Sequence, residues 1–304
     1  METRTDQASA AGLHKGEPSY RRAVTALSAL GLSSFNAIYC TQALLPALSE
    51  HFDASPTLSA WTVSAATGAL ALAILPVAIL SERFGRGRVM VTSAIVAVLI
   101  GVLLPFAPSL DWLIAGRAVQ GLAAAGVPAT AVAWLADEIN GLDLPRAMGQ
   151  YIAGNTVGGL LSRLLPSGVL EFAEWRWALA SNVLLAAAAV ILALAFLPSQ
   201  QMFTPKRLRF GSEVRAIWSH MTNPLLLSLF MIGFLLTGAF VSLYNYLGYR
   251  LQGTFDFSPG LAGPSSRSTS SARSVPAGQG QPRSGTGAQR SCSSGSPSSP
   301  SLTP

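Results

Sequence analysis

The sequence predicts an all-α membrane protein with seven transmembrane helices. Only 11% of its 304 residues are charged and 50% are hydrophobic, whereas roughly 25% of residues are charged in soluble domains. The apolar residues form long stretches, and basic residues cluster in the short segments between them. Because so few charges cannot cover a globule in water, lipid is the expected solvent of this chain.

Seven apolar stretches approach or exceed the roughly 20 residues that a helix needs to cross the hydrocarbon layer. They cover residues 23–48, 58–80, 89–107, 112–135, 147–170, 177–197 and 225–249. The polar segment before the first stretch contains Asp6, Lys15 and Glu17, which is unlike a cleaved signal peptide. We therefore expect the first stretch to remain as a span.

These stretches divide the chain into predicted segments. The segments are a cytoplasmic N-terminal tail (1–22), a six-span half (23–197), a cytoplasmic central loop (198–224), a seventh span (225–250) and a disordered polar tail (251–304). Within the central loop, residues 206–219 mix basic and apolar side chains. Either a helix on the membrane surface or a plain basic linker fits that composition.

The basic residues predict which loops share a side of the membrane, because short loops rich in Lys and Arg remain cytoplasmic. The basic residues on one side are Arg21, Arg22, Arg83, Arg86, Arg88, Arg146, Lys206, Arg207, Arg209 and Arg215. The charged and titratable residues of the opposite loops are His51, Asp53, Asp111, Glu171, Glu174 and Arg176. This asymmetry predicts a cytoplasmic N-terminus.

The composition of the chain changes after Phe257. From there to Pro304 the chain contains no acidic residue and no lysine, and Ser, Gly, Pro, Ala and Arg dominate. Such a segment cannot form a core, which predicts disorder. The span count places its arginines outside the cytoplasm, against the charge rule. We favour a shift of reading frame as its origin, and a native disordered tail is the alternative.

The turn between the second and third spans concentrates charge. It contains Glu82, Arg83, Arg86 and Arg88 around Gly85. Glycine permits a sharp reversal of the chain, and Glu82 can pair with an arginine or face a helix N-terminus. Taken alone, anchoring by positive charge explains this cluster as well as a functional contact does.

The fourth and fifth spans each contain an arginine. Arg117 lies several residues inside the fourth span and shares a helix face with Gln120 and Gly121. Arg163 lies in the fifth span. A charge at this depth is expected to face the bundle interior or a wet cavity and to find a partner there. For Arg117, the alternative is a side chain that reaches back to the membrane interface.

Small residues in the fifth span indicate close helix packing. Gly154, Gly158 and Ser162 recur every four residues, with Gly159 beside them, a spacing that lets two membrane helices approach closely. Arg163 follows directly as a candidate contact for substrate or partner, with structural pairing as the alternative.

Polar residues of the first span suggest a partly polar substrate cavity. We place Asn36, Tyr39 and Gln42 on its lining, together with Arg163.

These motifs, in this order and on these spans, resemble the major facilitator superfamily over about residues 21–250. The positions that resemble motif A are Glu82, Arg83, Gly85 and Arg86, with Ala78 in place of Gly and Gly87 in place of a basic residue. The positions that resemble motif B are Arg117, Gln120 and Gly121. Residues 154–159 are similar to motif C of antiporters, with Asn155 in place of Pro. Residues 36–46 resemble a bacterial inner-membrane subgroup of drug or sugar efflux proteins, with Ala43 in place of Pro.

The resemblance implies a six-helix N-terminal half of the major facilitator fold plus a seventh helix. In that family two halves rock around a substrate at the midplane, motif A gates the cytoplasmic side, the motif B arginine is linked to proton coupling, and motif C marks export. The resulting prediction is proton-coupled efflux of a small drug-like or sugar-like molecule across the bacterial inner membrane. We expect a shortened transporter; the alternative is an inactive fragment, or a half that works only by pairing with a complementary half.

Other function classes find no support in the sequence. It contains no phosphate-binding GxxxxGK loop, no HExxH or GxSxG motif, and no Cys/His spacing typical of zinc. We therefore expect no enzymatic activity, no metal and no organic cofactor. The basic residues follow the loops rather than one face, which argues against nucleic-acid binding. The expected partners are the lipid bilayer, a small-molecule substrate and protons.

Overall fold

The computed structural model describes residues 12–200 and 222–255, which form nine α-helices. The helices are α1 Pro18–Tyr39, α2 Leu45–His51, α3 Pro56–Phe84, α4 Arg86–Leu103, α5 Leu110–Ala124, α6 Gly126–Glu138, α7 Leu144–Val169, α8 Trp175–Phe196 and α9 Pro224–Phe255. Short 3-10 turns lie at Gln42–Leu44 and Leu104–Phe106. The predicted interfacial segment 206–219 and almost all of the predicted tail lie outside the described residues.

The all-α membrane fold class is confirmed. Within the described residues, six helical segments are long and apolar enough to cross a membrane: Pro18–His51, Pro56–Phe84, Arg86–Phe106, Leu110–Glu138, Trp175–Phe196 and Pro224–Leu247. The remaining long helix, α7, has 26 residues and is therefore about 39 Å long. It is less apolar because it includes Arg163 and several polar or small residues, yet it packs inside the same bundle.

Two predicted spans are interrupted at prolines. The first breaks between α1 and α2, just before Pro46, and the fourth breaks at Ala125, just before Pro128. Proline lacks an N–H and its ring clashes with the carbonyl four residues earlier, so each new helix begins with proline in its first turn. Pro76 lies inside α3 without interrupting it. Helix α9 continues to Phe255, beyond the predicted end of the seventh span at residue 250, and its apolar, span-length part covers Pro224–Leu247.

Helix α1 is the central element of the bundle. It packs along α7 and α8, while α3 packs along α5 and α4 along α6. Two clusters of buried side chains fill the space between helices, one including Trp134 and Tyr151 and the other including Leu113 and Trp175. Because α1 contributes to this core on nearly every turn, it is largely shielded from lipid.

Contacts between loops and helix ends show which of them share a side of the bundle. Leu13 pairs with the segment after α6, since its N–H donates to the Glu138 carbonyl at 2.8 Å and its carbonyl accepts from the Asn140 N–H at 3.2 Å. At the opposite end, the rings of His51 and Trp175 lie 5.6 Å apart. These groupings agree with the loop sides that the basic residues predict.

Candidate transport site

The charged turn between α3 and α4 is built on Gly85. This glycine has φ +97° and ψ +129°, a conformation that other residues rarely adopt. It separates the end of α3 from Arg86, the first residue of α4. The Arg86 guanidinium donates to the Asp137 carboxylate and, at 2.8 Å, to the Ala133 carbonyl. The turn therefore ties the start of α4 to the end of α6.

The other charged residues of this turn lie closer to solvent. Arg83 and Arg88 are exposed, and the Arg83 guanidinium lies 5.5 Å from the centre of the adjacent Phe84 ring. Glu82 is half-buried. In the structure Arg86 joins two helices, whereas Arg83 and Arg88 are exposed. The sequence pattern alone does not distinguish these three arginines.

The Arg86–Asp137 pair should contribute modestly to stability. The two side chains are 16% and 33% exposed, so a double-mutant cycle with Arg86→Gln and Asp137→Asn should give a coupling energy of about 1 kcal/mol. Unfolding of the purified chain in detergent, followed by circular dichroism, measures it. The control is Arg88→Gln combined with Asp137→Asn, because Arg88 is exposed on the same turn; coupling there as large as in the Arg86 cycle would contradict the assignment.

Arg117 is fully buried inside the six-span half. Its Nε donates to the Thr62 carbonyl at 3.1 Å, and its Nη1 donates to the Ala37 carbonyl at 2.6 Å and to the Gln120 side chain. Its Nη2 donates to the Ile38 carbonyl. Ala37 and Ile38 belong to the last turn of α1, whose carbonyls lack intrahelical donors. Arg117 therefore caps the broken first span rather than reaching for the interface.

Gln120 and Gly121 extend this contact along α5. The Gln120 amide donates to the Ala97 carbonyl of α4 at 3.1 Å. Gly121 lies against the backbone of α3, and a Cβ at this position would come within 2.9 Å of the Ala66 Cα. The motif B positions thus join α5 to three other helices.

The glycines of α7 lie against the backbone of α1. A Cβ at Gly154 would lie 2.8 Å from the Ser28 Cα, and one at Gly158 would lie 2.7 Å from the Leu32 Cα. Real Cβ atoms do not come so close, so the two helices meet backbone to backbone. Gly159 does not share this contact with the α1 backbone, and its carbonyl accepts a hydrogen bond from Arg163.

Arg163 lies where α1, α7 and α9 meet. Its Nε donates to the Gln42 side chain at 2.8 Å, and its guanidinium carbon lies 4.8 Å from the centre of the Tyr39 ring. From α9, the Tyr244 and Phe240 rings lie 4.6 and 5.8 Å from the same atom. We call these residues, together with Asn245, the Arg163 cluster.

Of the first-span residues predicted to line a cavity, Tyr39 and Gln42 belong to the Arg163 cluster and Asn36 does not. Asn36 is buried inside the half-bundle, where its Nδ2 donates to the Asn182 carbonyl at 2.7 Å. The Asn182 amide in turn donates to the Cys40 and Ser162 carbonyls, each at 3.2 Å. The structure therefore places Asn36 in a separate polar contact between α1 and α8.

Comparison with known proteins identifies the family. The sequence profile of the Major Facilitator Superfamily matches residues 27–278. The chain belongs to the major facilitator superfamily. The match extends beyond residue 250, into the segment that composition assigned to the tail.

Two relatives within the superfamily have a similar sequence. The uncharacterized MFS-type transporter YybF of Bacillus subtilis is 34% identical over 241 residues, covering 79% of this chain and 60% of that protein. The inner membrane transport protein YnfM of Escherichia coli is 36% identical over 243 residues, with coverages of 79% and 58%. The chain thus spans about six-tenths of the length of these relatives.

A solved structure confirms the major facilitator fold. A bacterial homologue of the human lysosomal transporter Spinster, in an inward-facing and unoccupied conformation, superposes with a TM-score of 0.65 at 18% sequence identity. The alignment covers 81% of this chain and 58% of the other.

The structure also adds site residues that sequence reasoning missed. The sequence could have suggested Asp137 as the partner of Arg86, because it is an acidic residue on the same predicted side of the membrane as the basic turn. Phe240, Tyr244 and Asn245 had a weaker signal as aromatic and polar positions one turn apart in an apolar span. Nothing in the sequence indicated that they meet Arg163.

Proposed function

We propose that this major facilitator chain forms the first half of a secondary active transporter that exports small molecules by alternating access, with protons as the coupling ion. The observation that carries the proposal is the polar contact between the six-span half and α9. Gln42 donates to the Asn245 side chain at 2.6 Å, and the Ser49 and Tyr249 hydroxyls lie 2.6 Å apart. Transporters of this fold bind substrate between their halves near the midplane, and α9 is the first helix beyond the first half.

The proposed route for proton coupling runs through Arg117. Within the described helices, carboxylates lie only near helix ends, and none lies at mid-depth where it could carry a proton across the membrane. These residues are Glu50, Glu82, Asp111, Asp137 and Glu138. Arginine itself keeps its proton in proteins. Arg117 would therefore act by exchanging the carbonyls that it binds at the end of α1, not by titrating.

We propose that the N-terminus faces the cytoplasm and that the protein resides in the bacterial inner membrane. The loop sides seen in the structure agree with a single orientation, and the Lys and Arg distribution selects the cytoplasmic side for the N-terminus.

The second candidate function is a half-transporter, active only when paired with a complementary half and otherwise an inactive fragment. Helix α9 favours it, since large apolar side chains such as Leu225 and Phe234 are 76% and 72% exposed. A partner half would cover part of the exposed face of α9.

Transport by reconstituted vesicles tests the two candidates. Proteoliposomes that contain the chain alone should move a fluorescent dye when a pH gradient is imposed, and Arg117→Ala should abolish that movement. Arg176→Ala is the matched control, since Arg176 lies at the start of α8, away from Arg117. Movement without regard to the gradient would contradict proton coupling. An inactive chain that gains transport when mixed with a separately expressed second half would establish the half-transporter.

A further inference from the structure

We propose that Arg163 is an anion-binding residue, and that the substrate carries a carboxylate next to a planar, aromatic group. The inference deepens the proposed transport function, on which it rests, by naming the substrate class. It follows from an arginine whose charge has no carboxylate partner among the described residues and whose bonding capacity is only partly used.

The donors of Arg163 are incompletely satisfied. Nε donates to Gln42 and Nη1 to the Gly159 carbonyl, but Nη2 is buried and has no hydrogen-bond partner among the described residues. A buried donor without an acceptor is costly, and more so on a charged group in a membrane. A carboxylate matches the planar guanidinium geometry, as a phosphate also does.

The described residues around Arg163 supply no negative charge. Helices α1, α7 and α9, which meet at this residue, contain no Asp or Glu. In the described part of the chain, the Arg86–Asp137 ion pair lies near the opposite end of the bundle. A bound anion from outside the protein would therefore balance the positive charge of the Arg163 guanidinium.

Aromatic rings define the rest of the site. The Tyr39, Tyr244 and Phe240 rings all lie within 6 Å of the guanidinium carbon, at 4.8, 4.6 and 5.8 Å. Their faces stabilise the cation in the absence of an anion, and they also offer stacking surface to a flat ligand. The site thus combines one charged planar donor with aromatic walls, a pairing that favours an aromatic carboxylate over a sugar.

The position of two of these rings on α9 suggests how a ligand would reach Arg163. Tyr244 and Phe240 belong to α9, whose side chains are mostly exposed and which meets the six-span half chiefly at α2 and the adjoining 3-10 turn. Movement of α9 away from α7 would uncover Nη2, while Tyr39 and Gln42 would stay with Arg163 on the first half. Ligand binding and relative motion of the halves would then act at the same residue.

The competing explanation is that Arg163 merely holds α9 in place. Binding measurements separate the two, because a purely structural arginine gives no selectivity for carboxylates. The full chain is placed in nanodiscs of zwitterionic phosphatidylcholine, and its thermal unfolding is titrated with benzoate, salicylate and nicotinate. Each acid is paired with its amide: benzamide, salicylamide and nicotinamide.

We expect at least one carboxylate to raise the unfolding temperature in a saturable way while its amide does not. Arg163→Gln should lower the affinity for that carboxylate by about tenfold or more, the loss expected when a charge-assisted hydrogen bond is removed. Arg163→Lys keeps the charge without the planar fork, so it should bind with intermediate strength. If Arg163→Gln does not fold, the test rests on Arg163→Lys, whose affinity for the carboxylate should be lower than that of the original chain.

The matched control is Arg176→Gln, because the Arg176 guanidinium also lies over an aromatic ring, 4.5 Å from the Trp175 ring centre, but outside the cluster. It should leave carboxylate binding unchanged. Equal binding of acids and amides, undiminished binding by the Arg163 variants, or no binding of any tested acid would overturn the proposal. None of these outcomes depends on whether the chain transports by itself, so a failed transport assay leaves the binding result interpretable.

Discussion

Replacing Gly158 with leucine should prevent α7 from docking on α1 and leave little folded protein. Even a Cβ at this position would lie 2.7 Å from the Leu32 Cα, and backbone atoms cannot move aside as a flexible side chain can. Overpacking of this kind costs about 1–3 kcal/mol in a core, and the longer leucine side chain adds to the separation of the helices. The measurement is the fraction of purified protein that elutes as a single folded species in detergent, with its unfolding temperature.

Gly149 provides the control on the same helix, because a Cβ there meets no atom of the described residues within 4 Å. Gly149→Leu should leave the folded fraction unchanged or raise it slightly, since leucine favours helix over glycine by roughly 0.5–1 kcal/mol. Gly154→Leu should behave like Gly158→Leu, as it faces the Ser28 backbone one turn earlier. Equal behaviour of the Gly149 and Gly158 variants would show that α1 and α7 are not held by backbone contact.

The spans could be predicted from sequence because burial in lipid requires a length and an apolar composition that few other structures need. The interruptions in the first and fourth spans were missed, although Pro46 and Pro128 were visible signals. Proline is an ambiguous signal in membrane helices, since neighbouring groups can satisfy the freed carbonyl; Pro76 lies within an unbroken α3. Only the packing around each proline decides between a break and a continuous helix.

The site was predictable one helix at a time but not across helices. The small-residue spacing of α7 predicted a close neighbour without indicating that the neighbour is α1. The depth of Arg117 predicted a partner without indicating the carbonyls of Ala37 and Ile38, because a backbone acceptor leaves no trace in the sequence. Asn36 was grouped with Tyr39 and Gln42 by proximity in the chain, yet its side chain lies inside the six-span half and donates to the Asn182 carbonyl of α8.

Replacing Arg117 should destabilise the half-bundle more than any other single charge removal in its core. Arg117→Met keeps similar bulk but removes every hydrogen bond to α1, α3 and Gln120. The Ala37 and Ile38 carbonyls at the end of α1 are then buried without this donor, at about 1–3 kcal/mol each. Relief of the cost of burying the charge offsets part of this loss, so we expect a net loss of roughly 2–4 kcal/mol. Denaturant titration of the purified chain measures it.

A lysine at the same position separates structure from coupling. Arg117→Lys retains the charge and three donors, but a single ammonium cannot reach carbonyls on both α1 and α3 as the guanidinium does. We expect it to recover about half of the lost stability while pH-driven dye movement remains abolished and downhill movement persists. If the methionine variant were as stable as the original, capping of α1 would not explain this arginine. Retention of a costly buried charge would then point to the transport cycle alone, because a charge that does not stabilise the resting bundle must act in another of its states.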